Sequence, residues 1–78
     1  MNPLQQLLEL IGYPVVGASA KIAAKIGQEA QANILEKSEA IKQLQELKDA
    51  EAAHATQLPE HIKFLDAVSE LITSIEQI

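Results

Sequence analysis

The chain has no cysteine, no arginine and no tryptophan, and Tyr13 and Phe64 are its only aromatic residues. Each absence closes off a class of function. Without cysteine there are no disulfides and no thiolate metal sites. Two histidines, His54 and His61, are too few for a structural zinc centre. Without arginine, and with two rings at most to stack on bases, the chain lacks the usual means of reading nucleic acid. A net charge of −5 also opposes phosphate. No stretch reaches the roughly 18–20 consecutive apolar residues that a spanning helix requires. The start, Met1-Asn2-Pro3, has no basic segment, so no secretory signal is expected. The expected setting is the cytoplasm or a large assembly such as a virion.

Catalytic chemistry is equally thin. Ser19, Ser38, Ser69 and Ser74 have no histidine at a spacing that suggests a triad. The segment Gly12-Tyr13-Pro14-Val15-Val16-Gly17 has glycines but no GK[ST] continuation, so it is not a phosphate loop. The acids alternate with lysines on helix faces, as Glu39 does with Lys42, which is the pattern of solvated surface pairs. No enzyme, no metal and no cofactor are expected.

What is present is helix. Alanine, glutamate, lysine, glutamine and leucine dominate, and all are strong helix formers. The few prolines and glycines divide the chain. Asn2 followed by Pro3 is a good helix start, and Gly12 a good stop, giving a first helix over 3–11. Residues 12–18 form a Gly/Pro connector with enough apolar content to pack. Ser19 is the expected cap of a long second helix, 19–53, interrupted in composition only by Gly27. A turn over 54–58, with Thr56 as a candidate cap, leads to Pro59 and a third helix over 59–76. His54 would sit at the end of the second helix and favour its dipole there.

The faces suggest surplus sticky surface. Ile22, Ala23, Ile26, Ala30 and Ile34 share one arc of the second helix, and Ala40, Ile41, Leu44 and Leu47 resume it. Asn33 and Lys37 fall inside that seam, where polar residues can set register and oligomer state. Ala23 with Gly27, and Ala20 with Ala24, are small pairs that permit close helix approach. The third helix carries Leu65, Val68, Ile72 and Ile75 on one seam and Phe64, Leu71 and Ile78 on another, with Ile62 widening the edge. Its apolar arc covers roughly 200°, twice what one packed face needs.

Length then decides the expected architecture. Thirty-five helical residues span about 50 Å, too long for a 78-residue globule. The expectation is an all-α, extended, oligomeric chain: a short first helix, then the second and third helices packed as an antiparallel hairpin. A break at Gly27 or near Ser38 would instead give a compact four-helix bundle. Charge is uneven too. Residues 10–28 hold only Lys21 and Lys25, whereas 49–78 hold six acids against Lys63, so head-to-tail packing between copies is electrostatically favoured.

These readings converge on a non-enzymatic structural or assembly subunit, of the small kind that accompanies virions and other large complexes. Its expected partners are protein chains, either further copies or a larger complex. Candidate interface residues are Tyr13, Ile22, Ala23, Ile26, Gly27, Ala30, Ile34, Phe64, Leu71 and Ile78, with Asn33 and Lys37 as register-setting candidates. The alternative is an adaptor, chaperone or inhibitor that docks on a different protein. A membrane-surface role is the weakest reading, because Gln5, Gln6 and Glu9 occupy the polar face where lysines belong.

Overall fold

The first helix forms where its local chemistry dictates. The Asn2 side chain accepts a hydrogen bond from the Leu4 amide at 2.9 Å, and Pro3 gives up an amide that no helix would use. The computed structural model describes residues 2–53 and 58–78. They form four helices: α1 (Pro3–Leu10), α2 (Gly17–Gln31), α3 (Lys37–Ala53) and α4 (Pro59–Glu76). The protein is all-α. The expected positions of His54 and of the Thr56 cap lie outside the described residues.

The single long helix over 19–53 is not formed. Residues 32–36 separate α2 from α3, and the cause is a left-handed residue. Asn33 has φ of +60°, a conformation that a short polar side chain tolerates and that no helix continues through. Around it the freed carbonyls find partners. The Ile34 and Leu35 amides both donate to Glu29, at 2.9 and 3.2 Å, and the Asn33 amide donates to Ala30 at 3.2 Å. This is a Schellman closure built on asparagine in place of glycine. Asn33 therefore stops a helix, which replaces its expected role in a register seam. Lys37 opens α3, and its Nζ donates to the Ile78 carbonyl oxygen at 3.0 Å. The break runs up to α3's start at Lys37, beside Ser38, one of the two places where one was expected, and Gly27 does not break the helix.

Gly27 serves a different end. A Cβ there would come within 2.8 Å of a Leu71 methyl and 2.9 Å of a Leu4 methyl. The missing side chain lets α2 press against α1 and α4 together. Gly17 is tighter still, since a Cβ there would strike the Ile11 carbonyl oxygen. It begins α2 without a side-chain cap, on backbone bonds from Gly17 to Tyr13 and from Ala20 to Val16, both 2.8 Å. Ser19, expected as the cap, lies inside the first turn.

The bundle measures 33 × 21 × 19 Å, so the extended shape gives way to a closed one. Leu7 and Leu10 of α1, Val16 of the connector, the small face of α2, Ala40 and Leu44 of α3, and Phe64, Ala67, Val68, Leu71 and Ile75 of α4 form one core. On α4 the buried face takes Val68 and Ile75 from one expected seam and Phe64 and Leu71 from the other, together with His61 and Ala67. Leu65 and Ile72 are only partly buried. No described helix is long and apolar enough to cross a membrane.

Candidate functional site

Two features outside the apolar core carry polar chemistry or uncovered surface. The first joins three helices. Ser19, in the first turn of α2, points its hydroxyl at Glu51 near the end of α3 and donates to Oε1 at 2.5 Å. The other carboxylate oxygen of Glu51 lies 3.6 Å from Nε2 of His61, in the first turn of α4. His61 is 2% exposed, yet no buried side-chain nitrogen or oxygen among the described residues lacks a partner. The residue types are those of a hydrolase triad, but the order is wrong. Acyl transfer needs histidine between serine and acid, where it can take the hydroxyl proton. Here the carboxylate stands in the middle, so the imidazole has no hold on the Ser19 hydroxyl. The trio ties helices together. Among the described residues no group of three or more histidine or acidic side chains is placed to hold a metal ion.

The second feature is a groove between α1 and α4, about 420 Å³, lined by Gln6, Pro59, Ile62, Lys63, Asp66 and Glu70. The five α4 residues follow helical spacing and make a stripe nearly three turns long. A smaller hollow of about 150 Å³ adjoins it at Pro59 and Lys63 and brings in Leu10, Tyr13 and Glu60. Lys63 is spanned to Glu9 of α1 at 3.5 Å, both about half exposed, a contact worth only a few tenths of a kcal/mol up to about 1 kcal/mol. Asp66 and Glu70 face solvent with no cation within ion-pair distance among the described residues.

The expected interface residues divide sharply. Ala23, Ile26, Gly27, Ala30, Phe64 and Leu71 are buried in the chain's own core, so they are not available as surface. The reason is the small face of α2. Once Asn33 ends that helix, its alanines pack against α1 and α4 of the same chain. Tyr13, Ile22, Ile34 and Ile78 remain exposed. The expectation passed over Leu8, Ile11, Val15, Leu58 and Ile62, which are also large, apolar and exposed. For Ile62 a signal existed, the excess width of the apolar arc on α4. For the Ser19–Glu51 contact none did, because its members are 32 residues apart.

Among the described residues, six of the nine exposed large apolar side chains fall in two short segments, Leu8 to Val15 and Leu58 to Ile62. The hollow lined by Leu10, Tyr13 and Pro59 brings those segments together. Compared with known proteins, the chain matches no family model, no curated protein and no solved structure.

Proposed function

We propose that the chain is a non-enzymatic assembly subunit that works by protein–protein association, through the face formed by the connector and the start of α4. The observation that carries this reading is that exposed Ile62 lines the groove and exposed Tyr13 the hollow adjoining it at Pro59 and Lys63, with Ile11, Val15 and Leu58 exposed within a few residues of them in the chain. Scattered apolar residues need no explanation, but a concentration of them beside a concave surface is the mark of a contact site. Tyrosine is also a favoured anchor in such sites. The core supports the reading in a different way from the one expected. The small face of α2 is satisfied within the chain, so association is a use of the finished bundle and not a condition for forming it.

Light scattering over a concentration series tests this. The expected result is a mass that rises above the 8.5 kDa of one chain, and falls back when Tyr13 and Ile62 are both replaced by serine. A single species of one-chain mass throughout would reject assembly and move the reading to docking on a different protein.

A further inference from the structure

We infer that the α1–α4 groove of one copy receives the outer face of α2 from a second copy, so that the chain associates head to tail. This deepens the assembly reading and rests on it. The argument is complementarity in both apolar content and charge. The groove offers Ile62 and Pro59 at one end and Asp66 and Glu70 further along the same stripe of α4. Ile62 is 50% exposed. Its lone cation, Lys63, is already matched by Glu9.

The outer face of α2 is the converse. Ala18, Lys21, Ile22, Lys25 and Gln28 recur at helical spacing, and all five are exposed. Ile22 is 51% exposed although the rest of the α2 core face is buried. It stands between two lysines that make no ion pair with any described residue. An apolar side chain flanked by unpaired cations is what a groove with an apolar end and unpaired acids beyond it would take. The two stripes also match in length, each about 15 Å at 1.5 Å per residue.

Groove and face are different surfaces of the chain, so the contact is heterologous. Such a contact leaves a free groove at one end and a free face at the other, and it grows into a ring or an open array. One helix face in one groove is a small contact, at the low end for protein complexes, so association is expected to be weak and to fall with salt.

Sedimentation equilibrium with charge-reversed variants tests the pairing. One variant reverses the groove, Asp66→Lys with Glu70→Lys. The other reverses the face, Lys21→Glu with Lys25→Glu. All four side chains are exposed and make no ion pair among the described residues, so circular dichroism should show both variants folded. At low salt the wild type should exceed twice the one-chain mass as concentration rises. Each variant alone should stay at one-chain mass. An equal mixture should associate again, because the basic groove of the first accepts the acidic face of the second, and the reverse. A mixture that stays monomeric would overturn the inference. So would association that survives either reversal, and that result would leave the assembly reading intact through another face. A wild type at one-chain mass throughout the low-salt series would overturn both.

Discussion

α3 and α4 have 17 and 18 residues, and they are held by different means. α4 places His61, Phe64, Ala67, Val68, Leu71 and Ile75 in the interior and touches the other three helices. α3 buries only Ala40 and Leu44, with Ile41 and Leu47 partly covered, and among the described residues it does not meet α1. Its composition is that of a helix stable by propensity, rich in lysine, glutamate and glutamine. Polar contacts fasten its two ends: Lys37 to Ile78 at one, Glu51 to Ser19 and His61 at the other. These contacts run it antiparallel to α4. Burial therefore holds the centre of this molecule, and a few placed polar groups hold its edge.

The sharpest way to break that comparison is at its centre. Phe64→Ala should cost about 3–5 kcal/mol, because it removes the largest fully buried side chain from the helix that all others contact. A domain of this size has only about 4–12 kcal/mol in total, so urea unfolding should show the whole bundle lost in one transition. Separate transitions for α3 and the rest would show that α4 does not carry the fold. Hydrogen exchange sharpens the edge. The α3 amides should open by a route cheaper than global unfolding, while the central amides of α4 exchange only with it. Equal protection in both helices would remove the distinction.

A smaller effect is expected at the joint. Asn33→Ala places a Cβ-bearing residue without a compensating polar group at φ of +60° and should cost about 1 kcal/mol, whereas Asn33→Gly should be neutral or stabilising by about 0.5 kcal/mol. The reverse order in thermal melts would mean that the asparagine side chain, and not its backbone conformation, sets the break. Least of all, Lys63→Ala should change stability by under about 0.5 kcal/mol, since its contact with Glu9 is half exposed. A larger loss by denaturant titration would mark α1 as held to α4 by charge.

The parts of this fold that were legible in sequence are those whose cause is local. Asn2-Pro3 and Leu58-Pro59 carry their helix starts within a few residues, and helical composition names the class. The division of the second helix was not legible in the same way. Gly27 is the stronger helix breaker by propensity, yet it lies inside α2 because Leu4 and Leu71 fill the space its side chain would take. Asn33 is the weaker breaker of the two, yet it ends the helix because its short polar side chain tolerates the left-handed turn and the Glu29 and Ala30 carbonyls accept from the amides of that turn. The candidate site depended on that outcome. Ala23, Ile26 and Ala30 are apolar whether a second chain or the same chain covers them, and periodicity cannot tell which. Ile22 and Ile62 stay exposed only because the closed bundle has already chosen its inner faces.

The Ser19–Glu51–His61 contact has a consequence for uniqueness. The interior face of α2 is mostly Ala20, Ala23, Ala24, Gly27 and Ala30, a surface with little relief. Helices sliding over such a face meet small barriers, and a slip of one turn would exchange one set of methyl contacts for another. The polar trio opposes that exchange, because a 5.4 Å shift of α3 carries the Glu51 carboxylate away from both the Ser19 hydroxyl and the His61 ring. Replacing Glu51 and His61 together by leucine should keep the helix content and broaden the methyl spectrum, as alternative alignments become close in energy; a sharp single set of resonances would assign alignment to apolar shape alone. The trio is then an alignment pin, adding less to how strongly the helices adhere than to how few ways they have of doing so.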